Sequence, residues 1–535
     1  MTKDPTFNLW FEPWMTAETV TGATETVGLE ALLRNAGRFR GLYDPSPLVV
    51  VGVHRLLVAI LQDSLRPDEE EDLLALWAGD AFPEEAIAAF GHDYAQRFDL
   101  FAADVPFLQS ADIPRQPEKK GRGKSVGYLL GELTAGTGVT HYNHLYEGQL
   151  MLCAACCAKG VLTMPAFASS GGAGIKPSIN GVPPIYVIPG GETLYRSLVA
   201  SLTTPDHQPR AADREHDTPW WRHAPVVGKK QEVARVGYLH SLTFPARRVR
   251  LHPEAMGRPC SRCGRTMAWG AAKMVYEMGE SRSDGAAFWR DPFAAYRLPQ
   301  KEATAAPTPV RPVEGRAVWR EFAALFLPQG TEEVTKEARF IRPAIIDQIE
   351  RLREHLPRRA RTDLIPFQTV GLRTDMKMKI FEWESSGFRV APRLLNDVAT
   401  GERIAAALDF AWKCEGILKN MYRHYFDGPV ASWPDAAPVK GPAAVRARMT
   451  QQYWQRLGDA FRAWVARFGP AADADALLAE WRTEVVQVGH ATFRDAAEQL
   501  YSGNSTVLVC EAAISHCRNS LISYQQKQTL QEVVV

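Results

Sequence analysis

The sequence carries almost no net charge. Across 535 residues, 62 Lys and Arg stand against 61 Asp and Glu, leaving +1. A chain this neutral has no global polyanion-binding surface, so any grip on nucleic acid must come from a local patch. The start, Met1-Thr2-Lys3-Asp4, is polar and runs into Phe7–Trp14 without a basic n-region or an apolar h-region. A secretory signal is therefore not expected. The longest apolar run, Leu48–Leu61, is too short for a bilayer span and is interrupted by His54-Arg55. With Ser46 as N-cap and Pro47 at the first helical position, it reads as a buried core helix. No membrane partner is expected.

Signatures of catalysis are missing as well. There is no nucleophile elbow, no kinase motif set and no His-Glu-x-x-His, so the chain is not expected to be an enzyme. Two glycine-bearing segments fail as phosphate loops. In Ser169–Ser178 the tripeptide Gly-Lys-Ser/Thr is absent, because Gly174 precedes Ile175 and Lys176 precedes Pro177. Gly123-Lys124-Ser125 has the tripeptide, but Glu118 stands where the leading glycine belongs. His141-Tyr142-Asn143-His144 lacks a third metal ligand. His490, alone in a helical run, reads as a core or surface residue.

What is present is an ordinary soluble composition, 46% hydrophobic and 23% charged, in a chain long enough for roughly two to four domains. The expected fold class is α+β: a large mixed N-terminal domain over residues 1–385, then a C-terminal four-helix bundle over 390–535. In the first part, Leu150–Leu162 reads as a helix, Pro184–Ile188 and Val236–Phe244 as short strands, and Lys301–Pro312 as a surface loop. In the second, helices are predicted near Leu394–Tyr425, Ala443–Phe468, Asp473–Tyr501 and Ser505–Gln528. Tyr453, Leu457, Phe461, Trp464 and Phe468 share one helical face, and Leu477, Trp481, Val485 and Val488 form a similar stripe. Asp473 or Asp475 can cap the third helix, and Gly469-Pro470 ends the second. Arg351, Arg353, Arg358, Arg359, Arg361, Arg373, Lys377 and Lys379 form a basic stretch, open to reading as a solvated face or a polyanion contact.

Cysteine spacing is the sharpest chemical signal. Cys153-Ala154-Ala155-Cys156 and Cys260-Ser261-Arg262-Cys263 are two Cys-x-x-Cys turns that together match the four thiolates of a closed, structural Zn²⁺ site, with plain buried or surface cysteines as the alternative. Gly264 suits the positive φ that such turns need. The gap of roughly a hundred residues is too long for a zinc ribbon, so the metal would pin distant segments together. Cys157 adjoins the first pair as a rival ligand, though the regular spacing favours Cys153 and Cys156. Cys414, Cys510 and Cys517 read as small core residues. Reduced cysteines fit a cytosolic protein. The glycines Gly171, Gly172 and Gly174 allow close backbone approach to something narrow such as a DNA minor groove, with a plain flexible turn as the alternative.

Taken in order, these features resemble the CasA family, the large subunit of the type I-E CRISPR surveillance complex Cascade. Phe7–Trp14 resembles the family's N-terminal strand, and Pro106-Phe107-Leu108-Gln109 its Pro-Phe-Met-Gln-like segment. The two cysteine pairs, the glycine cluster leading to Gly181-Val182-Pro183, and Gly371-Leu372-Arg373-Thr374-Asp375-Met376-Lys377 also match in order. The resemblance implies a subunit that reads the protospacer-adjacent motif (PAM) of double-stranded DNA, helps open the duplex and recruits a helicase-nuclease. Gly171, Gly172 and Gly174 would approach the PAM minor groove, and Met376, flanked by Asp375 and Lys377, would be a wedge beneath the last PAM pair. Well-known members have glutamine at the wedge. A PAM-contacting lysine of the family falls on Met278, leaving Lys273 as its nearest substitute. Tyr142 and Asn143, in the loop before the first cysteine pair, would face the guide RNA and the neighbouring subunit, and the helical bundle would contact the small subunits. The rival readings are a zinc-stabilised scaffold without DNA recognition and a zinc-containing nucleic-acid enzyme.

Overall fold

The computed structural model describes residues 4–115, 123–131, 150–169, 176–222, 230–283, 285–299, 306–313, 316–328, 340–356, 363–374, 380–427, 442–500 and 504–534. It is a mixed helix-and-sheet protein of two compact units. The first comprises Met1–Pro312, Glu333–Arg361 and Ile365–Gly387, and the second Val313–Glu332, Thr362–Leu364 and Phe388–Val535.

In the first unit, Phe7–Trp14 is not a strand. It is a turn region in which Phe7, Trp10 and Trp14 sink into the core while Phe11 is exposed, and Trp14 Nε1 donates to the Leu9 carbonyl at 2.9 Å. The strand begins at Met15 and runs to Thr19, at the centre of a three-stranded antiparallel sheet with Thr24–Val27 and Phe39–Tyr43. Trp10 and Phe98 lie within one aromatic cluster with Phe90, Trp221 and Phe107. Phe107 belongs to the Pro-Phe-Leu-Gln segment. There Gln109 donates to the Leu100 carbonyl at 2.7 Å and accepts from the Leu251 amide at 2.8 Å. The turn that makes this possible puts Leu108 at φ +49°, a left-handed conformation that the sequence did not advertise.

The apolar run Leu48–Leu61 lies inside a helix, Pro47–Leu65, whose 19 residues are long and apolar enough to cross a membrane by composition alone. Its 83% burial within the protein accounts for that character. Gly52 lets it approach the helix Ala154–Phe167 closely: a Cβ there would lie 2.7 Å from the Leu162 carbonyl oxygen. The polar residues inside the run find partners within the protein. Arg55 pairs with Asp291 at 3.0 Å, and Asp291 also accepts from Asn180 at 2.8 Å. His54 meets Ser201 at 2.9 Å. Ser46 occupies the N-cap position without a capping hydrogen bond, and its amide instead donates to Asp44 at 3.0 Å.

The sheet that positions the cysteines is built on the strand Trp269–Met278. It pairs antiparallel with Arg247–Ala255, Lys124–Ser125 and Leu152–Cys153. Leu150–Leu162 therefore divides into a short strand and the helix Ala154–Phe167. A second sheet orders Ile380–Val390, Ile365–Thr374 and Tyr186–Pro189. Gly371 is needed there, since a Cβ would meet the Pro312 ring at 2.4 Å. Val236–Phe244 is not a strand but contains the helix Tyr238–Leu242. Tyr238, Ser241 and Leu242 face the core at helical spacing, and Asp217 accepts from the Leu239 and His240 amides at 2.9 and 3.1 Å. The run Lys301–Pro312 ends in a short strand, Thr308–Pro309; residues 301–305 fall outside the described residues.

Among its described residues the second unit contains four long helices, Val398–Phe426, Pro442–Val465, Ala474–Glu498 and Asn504–Val534. The first is cut shorter than Leu394–Tyr425 because Asp397 caps it, accepting from the Thr400 amide at 3.2 Å and hydroxyl at 2.6 Å. Asp473 caps the third through the Asp475 and Ala476 amides. Tyr453, Leu457, Phe461, Trp464 and Phe468 are all buried. Trp464 stacks on Trp481 at 5.1 Å, and Trp481 donates to the Ala407 carbonyl at 3.0 Å. Val488 is only half-buried, because the stripe drifts to Val486 and Gly489, as 3.6-residue periodicity requires. Cys414, Cys510 and Cys517 are buried among these helices.

Candidate metal centre and nucleic-acid interface

The two Cys-x-x-Cys turns meet because of strand register. Leu152 and Cys153 pair with Ala271 and Gly270, and the second turn lies in the connection between Arg247–Ala255 and Trp269–Met278. Both pairs thus reach the same end of one sheet, although Cys153 and Cys263 are 110 positions apart. Cys153 is the N-cap of the helix Ala154–Phe167 and Cys156 sits in its first turn, where amide groups favour negative charge. In the second turn the Gly264 amide donates to the Cys260 carbonyl at 2.9 Å, and Gly264 adopts φ +74° as expected of it. Ser261 locks this turn to the first: its amide donates to the Met151 carbonyl at 2.8 Å, and its hydroxyl accepts from the Met151 amide at 3.1 Å.

All four Sγ atoms lie within 4.8 Å of one another, and those of Cys153 and Cys263 are 3.7 Å apart. Tetrahedral Zn–S bonds of about 2.3 Å place sulfurs about 3.8 Å apart, so the donor set fits such an ion. Hydrogen bonds from Cys153 and Cys156 hold the Cys260 thiol below its ordinary pKa, while Cys156 is pushed up by hydrogen bonding to Cys153 and Cys260 and by burial. Cys157 stands outside the cluster. It is buried, and its thiol donates to the Leu152 carbonyl at 3.6 Å.

A supporting shell escaped sequence reading. Asp44 accepts from Lys159 at 2.9 Å, from Arg262 inside the second turn, and from the Ser46 amide. Burial acts to raise the Asp44 carboxyl, but the hydrogen bond and charge of Arg262, with Lys159, hold it below its usual value. One buried carboxylate therefore ties together the knuckle, the helix that carries Cys156 and the start of the core helix. Only the tertiary fold brings Asp44 there.

Lys273 is exposed on the strand Trp269–Met278, opposite Ser125. Arg250 and His252 lie on the adjoining strand, and burial followed by the charges of Lys273 and Arg250 lowers the His252 pKa, keeping that imidazole neutral. Met278, at the far end of the strand, is buried, and its sulfur accepts from the Lys176 amide at 3.3 Å. Arg373 pairs with Glu382 at 2.7 Å across two neighbouring strands, and Arg351 pairs with Glu70 at 2.8 Å. Gly171, Gly172, Gly174, Asp375, Met376, Lys377, Tyr142 and Asn143 lie outside the described residues, as do Arg358, Arg359, Arg361 and Lys379.

The family model for CRISPR-associated protein Cse1 matches residues 8–491. The chain belongs to this family. CRISPR-associated protein CasA/Cse1 of Thermus thermophilus is 29% identical over 513 residues, covering 91% of this chain and 92% of the relative. Among solved structures, Cse1 of Acidimicrobium ferrooxidans matches with a TM-score of 0.76 at 22% identity, covering 98% of this chain and 99% of that one. A chain of a CRISPR RNA-guided surveillance complex matches with a TM-score of 0.68 at 19% identity, covering 96% and 99%. At these identities the structural likenesses establish the Cse1 fold over nearly the whole chain.

Proposed function

We propose that the chain is the PAM-recognising large subunit of a type I-E Cascade complex, a binding and recruiting protein without catalytic activity of its own. Membership of the Cse1 family carries this reading, and the fold shared with a chain of an RNA-guided surveillance complex supports it. Its partners are then the backbone and small subunits, the guide RNA, double-stranded target DNA and the helicase-nuclease that destroys the target. Guide pairing reads the target sequence, which leaves to protein only the short motif beside it.

Within this reading, Cys153, Cys156, Cys260 and Cys263 hold a structural Zn²⁺. Four thiolates leave no open position, so the ion supplies cross-linking and no chemistry. Gly171, Gly172 and Gly174 approach the minor groove, where the absence of Cβ atoms permits backbone contact. Met376 acts as an apolar wedge at a base step, Asp375 and Lys377 flank it, and Lys273 contributes a cation. A methionine cannot make the hydrogen bonds of a glutamine, so discrimination at the last PAM pair is looser than in glutamine-bearing relatives. Tyr142 and Asn143 face the guide and the neighbouring subunit. The four long helices form the bundle that contacts the small subunits.

The wedge is tested with Met376→Gly in the reconstituted complex. Affinity for an intact matched-PAM duplex should fall about tenfold, roughly the cost of one unmade base-step insertion, while affinity for a pre-melted target is retained. Equal losses on both substrates would remove Met376 from the opening step.

A further inference from the structure

Between the two residues that bracket the glycine segment lies a buried cation. Arg247 is 2% exposed and starts the strand that runs beside Trp269–Met278. Among the described residues no carboxylate pairs with it. Its guanidinium instead faces three carbonyls and a thioether. Nη1 donates to the Lys176 carbonyl at 2.9 Å and the Ala246 carbonyl at 2.7 Å, Nη2 donates to the Ser169 carbonyl, and Nη1 lies 3.8 Å from the Met278 sulfur. Ser169 and Lys176 are the residues that immediately bracket 170–175. One planar group thus bridges the chain on either side of the glycine cluster. Met278 reinforces the bridge by accepting from the Lys176 amide, and the Ser178 amide donates to the Ala168 carbonyl at 2.8 Å.

Burying a guanidinium without an acid is expensive, and an apolar side chain of the same length would fill this site at lower desolvation cost. Its planar fork does what such a side chain cannot: it donates to two separate carbonyls at once from a rigid frame. We propose that Arg247 is a positioning residue for PAM recognition, fixing the separation and orientation of Ser169 and Lys176 and thereby the presentation of the glycine segment to duplex DNA. The DNA half of this inference rests on the PAM-recognition reading; the bridging half does not. Met278 then has a role as part of this bridge.

The test uses the full chain with Arg247→Met, which removes the donors, and Arg247→Lys, which keeps the charge but not the fork. Hydrogen exchange of the free chain comes first. Amides of 168–178 should exchange about tenfold faster in Arg247→Met and by an intermediate factor in Arg247→Lys, while those of Ala474–Glu498 are unchanged. Binding by the reconstituted guide complex follows, on matched-PAM, scrambled-PAM and pre-melted targets. The preference for matched over scrambled PAM should fall about tenfold, with pre-melted binding retained and Arg247→Lys lying between wild type and Arg247→Met. Unchanged exchange at 168–178 in both variants overturns the bridge. Faster exchange with an intact PAM preference overturns the positioning role. If the wild-type complex shows no PAM preference at all, the PAM reading fails and the positioning role falls with it, while the exchange result decides the bridge by itself. Should Arg247→Met not fold, the Arg247→Lys exchange and PAM preference decide, and wild-type values in both would overturn the proposal.

Discussion

The two units of this protein are held together by different means. The unit containing the cysteines is a set of small sheets and short helices whose pieces come from distant parts of the chain, joined by particular polar links: four thiols, the Asp44 carboxylate and the Arg55–Asp291 pair. The unit of four long helices depends on a continuous apolar face, with Trp464, Trp481, Phe461 and Tyr453 packed along it. In the first, losing one link frees segments that have little local stability of their own. In the second, losing one side chain leaves a cavity that its neighbours partly close.

The comparison breaks most easily at the cysteines. Cys260→Ser should destabilise the cysteine-bearing unit by on the order of 5 kcal/mol or more, because metal binding and folding are coupled in such sites. Wild-type protein should carry about one Zn per chain, as a closed four-thiolate site holds a single ion. Hydrogen exchange should show the loss in Ala154–Phe167 and Trp269–Met278 and spare Ala474–Glu498. Metal-free protein with unchanged protection would contradict the zinc assignment. Trp481→Ala should do the reverse, costing about 3–5 kcal/mol with protection lost among the long helices while zinc content is unchanged. An equal loss of zinc in Trp481→Ala would show that the two mechanisms are not separate.

The smallest effect is at Asp397. Hydrogen bonds from Thr400, and then the hydrogen bond and charge of Arg393, hold its carboxyl at about 2, with burial opposing them. Its folded value lies below the unfolded value of about 3.9, so its contribution is fully present above pH ~5 and is lost as pH falls from there through about 2. The stability difference between wild type and Asp397→Asn should therefore be constant above pH ~5 and shrink below pH ~4. A difference independent of pH would assign the cap's effect to geometry alone.

The same contrast decided what could be read from sequence. The long helices were legible because one-face periodicity survives without knowledge of neighbours; Val488, the break at Asp397 and the helix ends, such as Val465 in place of Phe468 and Val534 in place of Gln528, departed from it. The cysteine cluster was legible through residue type and spacing, yet its assembly depends on the pairing of Cys153 with Gly270, which no local pattern encodes. Val236–Phe244 misled because a short apolar run fits either period, and a remote carboxylate, Asp217, decided for helix. Phe7–Trp14 was a strand by the family resemblance alone, and the strand instead follows it, from Met15. Asp44 and Arg247 were unreadable: Asp44 meets Lys159 from 115 positions away, and Arg247 reaches Lys176 and Ser169 from 71 and 78 positions away.

The most direct test of the whole account is target binding by the reconstituted guide complex, with and without this chain, on duplexes of matched and scrambled PAM. The chain should raise affinity for the matched duplex and leave the scrambled one unchanged. An equal effect on both, or none on either, would contradict PAM recognition and leave a scaffold whose partners are protein.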